Sequence, residues 1–134
     1  MTSSVPPKTS ETELASHRCI LAVNDNDDEL FLIARHLGKS FPAAKILSAS
    51  NGAQALEIWR RETIHAIVTD NKMPHVTGIM LVRQIRETGS DVPIIMATGS
   101  DRYRDEALRA GVNVFYTDSA LEGITEALKT CFGE

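Results

Sequence analysis

The chain has 134 residues, 43% hydrophobic and 24% charged, the make-up of one globular domain long enough to bury a core. A formal charge of −4 and the lack of any basic run argue against a surface built for nucleic-acid phosphates. No apolar stretch approaches the ~20 residues of a membrane span and the N-terminus lacks a charged-then-apolar leader pattern, so no membrane association and a cytoplasmic location are expected.

Residues 1–17 hold Pro6-Pro7, many Ser and Thr and few large apolar groups, which cannot offset the entropy of ordering; they read as a flexible tail ahead of a domain over 18–134. Within that tail Ser10-Glu11-Thr12-Glu13 fits a capping box for one helical turn. Cys19-Ile20-Leu21-Ala22-Val23 then reads as a buried strand, and Asp28 as the cap of a helix with Leu30, Ile33, Ala34 and Leu37 on its apolar face. A short edge-like strand over 45–48 follows, and Asn51-Gly52 turns into a helix burying Ala55, Leu56 and Trp59. The third strand is 66–70. A helix over 79–87 ends at Gly89, and a fourth strand over 92–98 tolerates Pro93 only near its start. A helix over about 101–110 ends at Gly111, 112–117 forms a fifth strand, and Leu121, Ile124, Leu128 and Phe132 mark a last amphipathic helix. Five strand–helix units predict an α/β fold: a flavodoxin-like (βα)5 doubly wound parallel sheet in the order 2-1-3-4-5. Cys19 and Cys131, far apart and without C-x-x-C spacing, read as buried reduced thiols.

In that topology the first and third strands end side by side, where open α/β sheets keep their ligand sites. The first runs out into Asn24-Asp25-Asn26-Asp27-Asp28 and the third into Asp70, so Asp25, and Asn24 beside it, face Asp70 across the crevice. Two crowded carboxylates with nearby carbonyls are a hard-oxygen set whose repulsion a divalent cation relieves, and Mg2+ suits one or two carboxylates plus waters. Asp27 or Asp28 serves instead as a helix cap. An EF-hand is excluded because Leu30 stands where that loop needs Gly. Thr98-Gly99 ends the fourth strand, within reach of an oxygen carried on Asp70.

These residues together resemble the receiver domain of two-component response regulators over nearly the whole span from Arg18 to Phe132. The most specific piece is D-x-x-M-P-x-x-x-G, matched by Asp70, Met73, Pro74 and Gly78. The resemblance implies that Asp70 accepts a phosphoryl group from a histidine kinase or histidine phosphotransfer protein. It further implies Mg2+ held by Asp25, Asp70 and the Lys72 backbone carbonyl, with Asn24 acting through a water. Thr98 matches the family's switch hydroxyl and Phe115 its switching aromatic, which together change a surface presented to a downstream protein partner. The domain is then a signalling phosphoacceptor rather than an enzyme. Two departures stand out: Asn24 replaces the first strand-one acid, and Asp118-Ser119 replaces the family's lysine and proline after strand five. Three acids and no lysine, a formal −3, make a poorer home for a phosphoryl dianion, and Mg2+ is expected to bind weakly because Asn24 donates less charge and Asp118 only partly compensates. They also motivate an alternative, a phosphorylation-independent pseudo-receiver acting as a binding module. A phosphatase using Asp70 as nucleophile lacks a second acid two residues on, where Lys72 stands, and no G-x-S-x-G elbow supports a triad hydrolase.

Overall fold

A computed structural model of the chain describes residues 18–117 and 120–134. The expected tail, its capping box, and the Asp118-Ser119 pair therefore lie outside the described residues. Strands β1 (Cys19–Val23), β2 (Lys45–Ala49), β3 (Ala66–Thr69), β4 (Ile94–Ala97) and β5 (Val114–Tyr116) alternate with helices α1 (Asp27–Ser40), α2 (Gly52–Arg61), α3 (Gly78–Glu87), α4 (Arg104–Ala110) and α5 (Leu121–Cys131). All four strand pairings are parallel and the order is β2-β1-β3-β4-β5, the flavodoxin-like arrangement read from the sequence.

The apolar strand runs exist because both sheet faces are covered. Leu21, Val23, Ile67, Ile94, Met96 and Phe115 point into a core shared with α2, α3 and α4. Their neighbours Ile20, Ala22, Val68 and Ile95 point into a second core with α1 and α5. Every residue of β1 and β3 is buried, whereas β2 at the edge shows only Ala49 fully buried. Each large aliphatic group so removed from water stabilises the fold by about 1.5–3 kcal/mol.

Several boundaries differ from the sequence reading. Asn26, not Asp28, caps α1, its side chain accepting from the Glu29 N–H at 3.0 Å, and Asp27, Asp28 and Glu29 fill the first turn, where carboxylates favour the helix dipole. Helix α2 buries Ile58 and leaves Trp59 half-buried against the core. Helix α4 starts at Arg104 because residues 101–104 close a turn through the Arg104 N–H and the Asp101 carbonyl at 3.1 Å.

The end of the sheet remote from the site is fastened by Arg86. Its Nε and Nη2 donate to the Gly111 carbonyl at 3.0 and 2.7 Å, its Nη1 to the Ser90 carbonyl at 3.0 Å, and its Nη2 also to Asn113 Oδ1 at 2.9 Å. Burial lowers the guanidinium pKa, with Asp91 opposing the shift. Gly111 ends α4 in the left-handed region at φ 118°, and a Cβ there would lie 2.8 Å from the Arg86 side chain. The two cysteines are free thiols, Cys19 buried and Cys131 partly so, as expected.

Candidate functional site

Strand register builds the site. Val23 pairs with Thr69 and Thr69 with Met96, so Asn24, Asp70 and Ala97 leave the C-terminal edge of the sheet together. The Asp70 N–H still donates to the Val23 carbonyl at 3.1 Å, holding the loop to the sheet edge. Asp70 Oδ1 accepts the N–H groups of Asn71 at 2.7 Å and Lys72 at 3.4 Å. Its Oδ2 has no hydrogen-bond partner among the described residues. These bonds orient the carboxylate through one of its two oxygens.

Asn24, Asp70 and Thr98 line one cleft of about 310 Å3, so three of the residues singled out from the sequence do meet. Asn24 is only 4% exposed, and its Oδ1 accepts the Asn26 N–H at 2.9 Å. Asp25, the next residue, is exposed. Lys72 and Thr98 line a second groove on the other side of the β4 loop, together with Arg83 and Arg102. Phe115 lies outside the cleft: it is buried in the α3–α4 core with the Arg104 guanidinium 4.9 Å from its ring centroid. A backbone bond from the Thr98 N–H to the Tyr116 carbonyl at 3.0 Å ties the cleft to β5 beside that ring.

The loop after Asp70 explains the motif spacing. Asn71 is buried; its side-chain Oδ1 accepts the Ile79 N–H and its carbonyl accepts the Gly78 N–H, both at 3.0 Å, so one residue ties down both ends of the loop. Thr77 caps α3 through the Met80 N–H at 3.2 Å. A Cβ on Gly78 would overlap the Asp70 carbonyl oxygen and lie 2.8 Å from Asn71 Cα, which is why glycine stands eight residues after the aspartate. Between these anchors the Val76 N–H reaches the Pro74 carbonyl at 2.7 Å across His75, whose φ of 67° is costly for a residue with a Cβ. Sequence reasoning missed the anchoring role of Asn71, although a buried amide after a strand-end acid is a usable signal. It also missed the walls that α1 and α5 supply to the cleft.

Asp25, Asp70 and the Lys72 carbonyl are hard-oxygen donors of the kind Mg2+ takes together with water, but Asp25 and Lys72 are not among the described residues that line the cleft with Asp70. Among the described residues no group of three or more His, Cys, Asp or Glu forms a protein-only metal cage. Asn24 adds no charge, and its oxygen is already engaged.

A family model described as the response regulator receiver domain matches residues 20–127. Response regulator MprA of Mycobacterium leprae is 38% identical over 82 residues, 61% of this chain and 35% of that protein. MprA of Mycobacterium ulcerans is 35% identical over the same length. The match thus spans about a third of the length of these curated relatives. Among solved structures, the signal receiver domain of a DNA-binding response regulator from Colwellia psychrerythraea superposes with TM-score 0.80 at 18% identity, covering 88% of this chain and all of that one. The response regulator TrrA of Thermotoga maritima, solved with Mg2+-BeF, does so with TM-score 0.78 at 24% identity, covering 85% and 98%. Among the described residues no helix is long and apolar enough to cross a membrane. With the fold, the strand-end aspartate and the family match agreeing, the chain belongs to the response regulator receiver domain family.

Proposed function

We propose that Asp70 accepts a phosphoryl group from a phosphohistidine of a histidine kinase or phosphotransfer protein, and that the change is passed to a protein partner. The observation that carries this reading is the setting of Asp70: one carboxylate oxygen held by two backbone N–H groups, beside Asn24 and Thr98 in a cleft at the sheet's switch point. In the transfer the second oxygen attacks phosphorus in line, an O–P bond forms as the P–N bond breaks, and the departing imidazole keeps the electron pair and takes a proton. Asp25, Asp70 and the Lys72 carbonyl would hold Mg2+, with Asn24 acting through a water; the metal supplies charge neutralisation on the phosphoryl oxygens. The complex of TrrA with Mg2+-BeF supports that choice of ion. The Thr98 hydroxyl, which has no partner among the described residues, is available to a phosphoryl oxygen, and its backbone bond to Tyr116 leads toward Phe115. Tyr103, just ahead of α4, and Leu108 on it are 40% and 44% exposed and offer apolar surface to the partner.

Incubation with a small phosphodonor and Mg2+ followed by intact mass tests the assignment. One phosphoryl group should appear on the parent chain and none on Asp70→Asn. Full modification of that variant, or none of the parent under any donor, would overturn it; the second outcome would favour the phosphorylation-independent binding module.

A further inference from the structure

A second groove, of about 480 Å3, lies between α3 and the turn that leads into α4; Thr98 is the one residue it shares with the cleft that Asp70 lines. Two of the five exposed large hydrophobic side chains among the described residues, Met80 and Tyr103, line it. So do the exposed cations Lys72, Arg83 and Arg102, against a single acid, Glu106. Arg83 Nη2 is committed to Glu106 Oε2 at 3.2 Å, an ion pair that braces α3 against α4. Lys72 and Arg102 enter no ion pair among the described residues, so the groove carries two uncompensated positive charges on a chain whose formal charge is −4. Asp101 and Asp105, exposed beside it, are not among its lining residues.

Charge and apolar surface are set side by side and held there. The Arg102 guanidinium carbon lies 5.3 Å from the centroid of the Tyr103 ring, so cation and aromatic form one contact patch. The turn bearing both is fixed by the Arg102 N–H donating to Ser100 Oγ and the Arg104 N–H to the Asp101 carbonyl, each at 3.1 Å. On the α3 side, Met80 stands in the first turn of the helix, its N–H taken up by the Thr77 cap. A surface ordered in this way before binding loses little entropy on being covered.

Each class of occupant can be weighed against that lining. A small inorganic anion would pair the cations yet leave Met80 and Tyr103 in water. A nucleic acid gains affinity from many phosphate contacts, and two free cations on an acidic chain supply few. A purely apolar segment would strip water from Lys72 and Arg102 with nothing to pair them. A protein segment with an apolar side chain between carboxylates meets both features, which is charge complementarity combined with cover for exposed apolar surface.

We propose that the α3–α4 groove docks an acidic segment of a partner protein, its apolar side chain on Met80 and Tyr103 and its flanking carboxylates at Lys72 and Arg102. Docking there needs no phosphorylation of Asp70, so its failure leaves the phosphoacceptor reading standing.

The test is an NMR titration of the unphosphorylated chain, without Mg2+, with an acetylated and amidated peptide holding a Leu-Phe pair between two Glu pairs. Saturable shifts should centre on the Met80 methyl, the Tyr103 ring and the Ser100 amide, with Kd below about 1 mM. Binding should weaken several-fold between about 50 and 200 mM NaCl. The same peptide with Gln for Glu, or with Gly for Leu-Phe, should bind at least about fivefold more weakly. Arg102→Glu should weaken binding about tenfold or more and Met80→Ser several-fold, both at exposed positions. Lys39→Glu, on α1 at the other face of the sheet, should change it by less than about twofold. Shifts that do not saturate or that centre elsewhere, the Gln peptide equal to the Glu peptide, or Lys39→Glu as damaging as Arg102→Glu would each overturn the proposal. Tighter binding of an oligothymidylate than of the peptide would assign the groove to nucleic acid, and shifts at the same residues on concentrating the free chain would assign it to a second copy; either result overturns it as well.

Discussion

Gly78→Ala offers the sharpest test of how the Asp70 loop is held, because two physical effects predict opposite signs. At an open position near a helix start, alanine should stabilise by about 0.5–1 kcal/mol through reduced backbone entropy in the unfolded chain. Here the added carbon would overlap the Asp70 carbonyl and press on Asn71 Cα at 2.8 Å and Met96 Cε at 2.9 Å, two of them backbone atoms that cannot swing aside. Overpacking of that kind costs about 1–3 kcal/mol. Parting the Gly78 N–H from the Asn71 carbonyl, and the Ile79 N–H from Asn71 Oδ1, adds roughly 1 kcal/mol each. Less the propensity gain, the net loss is about 2–4 kcal/mol, a 30- to 1,000-fold drop in the folded-to-unfolded ratio. Urea denaturation followed by Trp59, the single tryptophan, reads this directly, with the m-value expected unchanged. Under native conditions the variant should also take up less phosphoryl, since the shifted backbone carries the Asp70 side chain. A midpoint equal to or above the parent's would refute the crowding argument.

Other consequences are open to measurement. Arg86→Ala should lose about 2–4 kcal/mol by leaving the Gly111 and Ser90 carbonyls without their charged donor; equilibrium unfolding within about 0.5 kcal/mol of the parent would contradict this. Burial raises the pKa of both Cys19 and Cys131, with Lys45 opposing the shift at Cys19, so the native thiols should react with iodoacetamide at pH 8 more slowly than in urea. Because the folded pKa values are the higher ones, this contribution to stability is intact below about pH 9 and is lost as pH rises through the folded values. Asp118→Lys, restoring a cation where the family carries one, should raise the phosphorylated fraction and enlarge the shift change at Thr98 and Phe115, and Lys72→Ala should lower both. Unaltered yields in Asp118→Lys would remove the electrostatic case for a weakened switch.

The fold was legible because its strands are short β-branched or apolar runs punctuated by Gly, Asn and Asp, a pattern that a sheet covered on both faces demands. Ala66–Thr69 and Asp70 were read from that signal alone, and the register then brings Asp70 beside Asn24. Elements whose details depend on tertiary contacts were less legible. Asn26, Asp27 and Asp28 can all cap a helix, and the choice of Asn26 goes with its N–H being fixed by the Asn24 side chain. Ile58 and Trp59 differ by one helical step, and only packing against β2 and β1 decides which is buried. The apolar wall of the cleft was hidden because Ile33 and Ile124 also fit the ordinary core face of an amphipathic helix.

The parallel order also governs when the site comes into being. Asp70 follows a strand, β3, that must pair with β1 across the intervening α1, β2 and α2, and with β4 after α3. Such non-local pairings form late, because the loops between them must first close. A peptide spanning Asp70 to Gly78 holds the whole motif yet has no neighbouring Asn24 or Thr98 to act with. During synthesis the acceptor leaves the ribosome before β4 and β5 exist to complete its surroundings. On the proposed reading of Asp70 as the acceptor, phosphoryl uptake would report that the entire sheet has assembled, and a half-made or misfolded chain would stay silent to a kinase.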